Sequence, residues 1–288
     1  METNKKLPYP FERIALAVSA SSSFMEELIE VTFSLSKIFG ADVYFIHVGN
    51  EITAKYIEEK ITEKNLSKIS FEFIVTKGDV VDSLLDVCKK KNIDLLIGGA
   101  LEKENPYKYY LGSVSRTLCR KAKCSVLMIK EPIKVPFSLS KIVVNCTESE
   151  KTEYTIKTAV YLCKSFELNS VYLVFENYIN SLTTVFNHEC TEDDAAIIKA
   201  YENKLEKEKY QRLLEKINFD KIKPHAEFIY SKPGFGISSF ARKINADLLV
   251  VNSPDKKLGF IDRIFPNDLE YTLENLPSSL LIVHSRPE

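Results

Sequence analysis

Small and hydroxyl-bearing residues mark where this chain could do chemistry. Ser19 follows an apolar run, Ile14 to Val18, and opens a serine-rich turn with Ser21, Ser22 and Ser23. Val48 ends a second apolar run that starts at Val43. A third, Leu95 to Ile97, ends in Gly98-Gly99, and the loop GGALEKENPYKYYLGSVS closes on Gly112, Ser113, Val114 and Ser115. Glycine lets a backbone approach a ligand closely, and free N–H groups at a helix start attract phosphate. The hydroxyls of Ser113 and Ser115 add donors and acceptors. This is chemistry for holding an anion rather than for breaking bonds. Taken alone, a Gly-Ser helix start is also an ordinary N-cap.

Other chemistries lack their residues. The four histidines are 47, 188, 225 and 284. His47 lies inside an apolar run and reads as a hydrogen-bonded core residue. His188, Glu189 and Cys190 are adjacent, but no second ligand pair stands at zinc-like spacing, so no metal site is expected. Ser19 has no nucleophile-elbow motif around it, and the chain has no P-loop signature. Tyr107, Tyr109 and Tyr110 beside Lys108 could stack on a base, yet no wider basic surface supports nucleic-acid binding. No catalytic residues are assigned, and the chain is expected not to be an enzyme. A slow nucleotide hydrolase is the weaker alternative, because fold alone cannot argue for activity.

Composition agrees with a globular chain. Across 288 residues, 39 Lys and Arg balance 40 Asp and Glu, which removes the electrostatic argument for nucleic acid or an anionic membrane. No apolar run reaches the roughly 18 residues a spanning helix needs, and the first residues lack a signal-peptide core, so a cytoplasmic location is expected. Six scattered cysteines at 88, 119, 124, 146, 163 and 190 form no C-x-x-C pair and read as buried free thiols.

The elements that must position these residues alternate. Ile14–Val18, Val43–Val48, Phe71–Thr76, Leu95–Ile97 and Ser125–Ile129 read as short buried strands. Phe24, Leu28, Val31, Leu35 and Ile38 recur at helical spacing before Gly40. Val81, Leu84, Leu85 and Cys88 mark a second helix, and Val114, Leu118 and Ala122 a third. Strands alternating with helices imply βαβ units and a mainly parallel sheet, with ligands beyond the carboxyl ends of its strands. EPIKVPFSLS, residues 131–140, carries two prolines and no helical period and reads as a linker.

After it the pattern restarts. ERIALAVSAS matches SKIVVNCTES, with Ile14 128 residues before Ile142, and VYFIHV from Val43 matches VYLVFE from Val171 at the same offset. IDLLIGGA from Ile93 matches ADLLVVNS from Ala246, and KCSVLMIK from Lys123 matches PSSLLIVH from Pro277, at offsets of 153 and 154. This is an internal duplication whose second copy carries an insertion at about residues 178–224, rich in helix formers. The domains expected are 1–132 and 139–288.

The element order, the half-length of about 130 residues and the string LGSVSRTLCRKAKCSVLMIK resemble the universal stress protein family. That resemblance implies two tandem Rossmann-like domains of the adenine nucleotide alpha hydrolase-like kind, each a five-stranded parallel sheet flanked by helices. In the nucleotide-binding members, the fourth strand ends in Gly-x-x-Gly, then nine residues, then Gly-Ser or Gly-Thr, and this loop holds ATP. Gly99 fits the first glycine, and Gly112-Ser113 fit the final pair. Val48, after His47, matches the residue whose backbone meets the adenine. The resemblance thus implies a ligand site at Ser19, Val48, Gly99, Gly112, Ser113, Val114 and Ser115, holding ATP or another adenine nucleotide. It also implies pairing of the two domains through their fifth strands within one chain, with homodimerisation open as well.

The departures point to a weakened site. Ser19 stands where ATP-binding members usually have Asp, and Glu102 replaces the second loop glycine, setting a carboxylate against phosphate. Lys103 and Lys108 could offset part of that repulsion. In the second copy Thr147 ends the first strand, Asn252 and Asp255 replace the loop glycines, and Pro266-Asn267 replace Gly-Ser. Proline has no N–H to offer. The expected function is therefore a stress-response protein with a degenerate adenine-nucleotide site in its first domain and none in its second. An interaction scaffold or chaperone-like protein without nucleotide is the alternative.

Overall fold

The computed structural model describes residues 11–102, 109–133, 135–178, 207–231, 234–254, 272–274 and 276–284. Of residues 101, 102, 109, 110, 177 and 178 the backbone alone is described. In the first half, strands β1 (Arg13–Ala17), β2 (Asp42–Val48), β3 (Phe71–Thr76), β4 (Leu95–Gly99) and β7 (Ser125–Ile129) lie parallel. A two-residue hairpin, β5 (Leu101–Glu102) with β6 (Tyr109–Tyr110), leaves β4. In the second half, β8 (Ile142–Asn145), β9 (Ser170–Tyr178), β10 (Lys223–Ser231), β11 (Leu248–Asn252) and β12 (Ser279–Val283) are again parallel.

Helices α1 (Met25–Phe39), α2 (Glu51–Lys64), α3 (Val80–Lys90) and α4 (Ser113–Lys121) belong to the first half. The second has α5 (Thr152–Ser165), α6 (207–215) and α7 (Phe235–Lys243). The alternating βα pattern expected from sequence, a parallel sheet flanked by helices, is present. Helix α2 is an addition to it. Its buried side chains are Ala54, Ile57 and Ile61 alone, so its apolar stripe is too narrow to read against the charges around it. Residues 179–206 lie outside the described residues, and with them most of the expected insertion and the trio His188, Glu189, Cys190.

All ten long strands form one sheet, in the order β10-β9-β8-β11-β12-β7-β4-β1-β2-β3. The two halves repeat the same register. Ile14 faces Val43 and Leu95 in the first, and Ile142 faces Leu248 in the second. The halves meet where β12 runs antiparallel to β7, with Leu281 opposite Leu127. These two leucines are equivalent in the duplication, so the seam has a local two-fold character. Reciprocal hydrogen bonds support it. Lys130 N donates to Ser279 Oγ at 3.1 Å, and its counterpart His284 N donates to Ser125 Oγ at 3.2 Å.

The core is correspondingly continuous. One face of the sheet buries Ile14, Leu16, Phe45, Ile142, Val144 and Phe175; the other buries Ala15, Ile46, Leu96, Val143, Val174 and Leu249. Alternation along each strand sorts the side chains to the two faces. A fully buried Phe45 or Phe175 contributes about 1.5–3 kcal/mol over leaving it exposed. Between α1 and α5, rings of Phe11, Phe39, Tyr161 and Phe166 pack at centroid distances of 5.3–6.3 Å, with Phe137 of the connecting segment against Phe166.

Candidate functional site

The strand order of the first half reverses between β1 and β4, and a crevice at such a reversal is where open parallel sheets hold ligands. A cavity of about 340 Å³ lies there. Its polar lining comes from Ser19, Ser21 and Ser22 after β1, and from Ser115 on α4. Val18, Val48, Gly98, Gly99 and Val114 form its rim, over an apolar floor that includes Leu16, Phe24, Leu28 and Met128.

Gly99 is there because nothing larger fits. A Cβ at that position would stand 2.7 Å from Cε2 of Phe24 and 3.1 Å from Cδ1 of Leu28. The glycine therefore lets the end of β4 pass close over α1. The serine turn is held by its own bonds: Ser19 Oγ lies 2.9 Å from Ser21 Oγ, and Ser22 N donates to the Ser19 carbonyl at 3.1 Å. Ser19 remains exposed, so its hydroxyl can reach a ligand.

Helix α4 points its start at this region. Gly112 is its N-cap with no side-chain cap bond, and the first turn has no acidic residue, so its leading N–H groups keep their pull on an anion. Of the residues expected at the site, Ser19, Val48, Gly99, Val114 and Ser115 line one cavity. Gly112 and Ser113 sit at the cap, beyond its lining. Lys103 and Lys108 lie outside the described residues, as does the side chain of Glu102. His47 is satisfied as a core residue: Nδ1 lies 3.1 Å from the Val18 carbonyl and Nε2 3.0 Å from Thr53 Oγ1.

The second half reaches this helix start. Leu111 N donates to the Leu273 carbonyl at 3.3 Å, and Arg116 lies 3.8 Å from Glu274. Arg116 Nε also donates to the Leu111 carbonyl at 3.0 Å, tying the loop end to its own helix. At the seam, burial and the positive charge of Arg242 push the Lys130 ammonium below its ordinary value.

The equivalent ground in the second half is filled by side chains. Asn252, in the place of Gly99, donates to Thr147 Oγ1 at 2.9 Å and to Thr152 Oγ1 at 3.0 Å, and accepts from Thr155 Oγ1. Lys151 Nζ donates to the carbonyls of Ser253 and Pro254 at 2.9 and 2.8 Å. In the place of Val48 stands Glu176, only 8% exposed. Its carboxylate accepts from Gly234 N at 3.0 Å, Gly236 N at 2.7 Å and Ile237 N at 3.3 Å, and from Ser231 Oγ. It thus acts as an internal anion at the start of α7. Gly236 makes room for it: a Cβ there would lie 2.7 Å from Glu176 Oε1. Sequence reasoning passed over Glu176. The available signal was a lone carboxylate ending the run VYLVFE. Asp255, Pro266 and Asn267 lie outside the described residues.

Comparison with known proteins follows the same line. Residues 49–130 match the model of the universal stress protein family. That span holds Gly99 and the start of α4, and begins just after Val48. A universal stress protein of Methanothermobacter thermautotrophicus is 24% identical over 139 residues, covering 40% of this chain and 94% of that protein. Two solved structures share the fold along nearly the whole chain. A universal stress protein from Archaeoglobus fulgidus has a TM-score of 0.66 at 16% identity, covering 96% of this chain and 100% of its own. A protein of unknown function from Pseudomonas aeruginosa reaches 0.72 at 13% identity, covering 95% and 92%. Among the described residues, no helix is long and apolar enough to cross a membrane, and no group of three or more His, Cys, Asp or Glu could hold a metal ion. The cleft-bearing half of this α/β chain is thus similar to the universal stress protein family over residues 49–130, and nearly the whole chain shares the fold of its solved structures.

Proposed function

We propose that this chain is a stress-response protein that binds an adenine nucleotide in the β1–β4 cleft of its first half, without catalysing a reaction on it. The observation that carries the reading is the cavity itself. It lies at the reversal of strand order, is lined by Gly99, and is flanked by a helix start with no acidic cap. The apolar floor suits a base, and the serine hydroxyls suit ribose or phosphate oxygens. Ser19, Val48, Gly99, Val114 and Ser115 would line the ligand. Gly112 and Ser113 would act through the backbone at the head of α4. The second half, whose equivalent ground is taken by Asn252 and Glu176, serves as a structural partner paired through β12 and β7.

Among the described residues that line the cleft, none carries a charged side chain. That largely apolar lining supports the second reading, an interaction scaffold that binds no nucleotide. One experiment separates them: thermal melts of the purified chain with Mg-ATP, ADP and AMP. A ligand at about a hundredfold its Kd adds roughly 2.7 kcal/mol to stability. A shift that disappears in Ser115→Glu supports the nucleotide site. No shift at millimolar nucleotide favours the scaffold.

A further inference from the structure

A second cavity, of about 560 Å³, opens on the first half, away from the β1–β4 cleft. It lies between the end of α3, the end of α4 and the start of β7. Two cysteines form its wall, Cys88 of α3 and Cys124 just before β7. Both thiols meet the same cavity, although 36 residues separate them in sequence. Each is buried in its own chain environment, with 6% and 8% exposure, and each meets the cavity. The mouth is strongly basic. Lys89, Lys121 and Lys123 line it and are exposed, against Asp86 as the one acidic lining residue.

We infer that Cys88 and Cys124 are a thiol-oxidation site, closed to a disulfide by a hydroperoxide that enters this cavity. The geometry supplies what such a step needs: two thiols on the wall of one cavity, a path from solvent, and exposed lysines at the mouth. Interaction between the two holds the Cys124 thiol below its ordinary value and Cys88 above it, and Cys124 directly follows the exposed Lys123, so Cys124 is assigned as the attacking sulfur. Its thiolate attacks one peroxide oxygen, the O–O bond breaks, and the released alkoxide or hydroxide takes a proton. Cys124 is then a sulfenic acid. Cys88 loses its proton and attacks the Cys124 sulfur; the S–O bond breaks and water leaves. Two thiols have given up two electrons, and the peroxide has become an alcohol, or water, plus water. Cys119 and Cys163, by contrast, are each pushed up to about 12 by burial and lie off this cavity.

The test uses the full-length reduced chain, treated with a small excess of hydrogen peroxide and then alkylated. Peptides are mapped without reduction. The expected result is a linked pair joining Cys88 to Cys124, reversed by dithiothreitol, with two of the six thiols lost from a count in denaturant. In Cys88→Ser the sulfenic acid at Cys124 should persist and be trapped by dimedone; in Cys124→Ser the linkage should vanish. The unsubstituted protein decides the matter if a variant folds poorly. All six thiols remaining free, or a linkage through other cysteines, overturns the assignment. So does equal thiol loss in the double variant.

Discussion

Replacing Glu176 with glutamine isolates one buried charge with almost no change in shape. Oε1 accepts from Ser231 Oγ, Gly236 N and Ile237 N, while Oε2 accepts from Gly234 N. A glutamine can keep its carbonyl oxygen on the first three. Its NH₂ must then face the Gly234 N–H, donor against donor. The remaining bonds also lose their charge assistance. A hydrogen bond to a charged group contributes about 1.5–3 kcal/mol against about 0.5–1.5 for a neutral one, and a buried unsatisfied donor costs about 1–3 kcal/mol. The loss should be about 3 kcal/mol. At roughly 2–4 °C per kcal/mol for a chain of this size class, Tm should fall by roughly 6–12 °C. Circular dichroism melts, backed by guanidinium unfolding, measure it. Glu176→Val, which installs the residue found at the equivalent place in the first half, should lose at least as much, because three N–H groups then face an apolar side chain. A drop below about 1 kcal/mol for either variant, on the scale of a single neutral hydrogen bond, would refute the account of this carboxylate as the anion that caps α7.

Ser115→Glu should abolish any nucleotide-induced Tm shift while raising basal stability by about 0.3–1 kcal/mol, since a carboxylate in the first turn complements the helix dipole; a retained shift would place the site elsewhere. Val48→Glu, the reciprocal of the second-half arrangement, should also abolish nucleotide binding, as read by the heat of isothermal titration; retained heat would place the base elsewhere. Gly99→Ala should cost about 1–3 kcal/mol by overpacking against Phe24, measured by urea unfolding; a neutral result would mean that α1 yields freely. Cys119 and Cys163 have raised values in the folded chain, so the unfolded chain sheds their protons first as pH rises. Stability is complete below about pH 9 and falls between there and about 12, by about 1.4 kcal/mol per unit for each thiol. Cys163→Ala should flatten that slope in urea midpoints taken from pH 8 to 10, and an unchanged slope would remove Cys163 from the explanation.

The sequence by itself determined the strands, their parallel alternation and the duplication. Runs such as Ile14–Val18 and Ile142–Asn145 are short, continuous and apolar because both faces of this sheet are buried, and their 128-residue offset survives divergence. It also pointed to Ser19, Val48, Gly99 and the head of α4, since glycine and serine at strand ends carry a local backbone requirement. Tertiary structure decided what depends on chain segments meeting. The apolar stripe of α2 is too thin to be read until Ala54, Ile57 and Ile61 are seen against the sheet. Whether Gly99 has room for a Cβ is a matter of where Phe24 and Leu28 come to rest. That Glu176 caps a helix nearly 60 residues further on, and that Cys88 and Cys124 line one cavity, follows from register and packing. Local patterning encodes which face a residue takes, whereas the partner across a crossover is fixed only when strands pair in register and helices close over them.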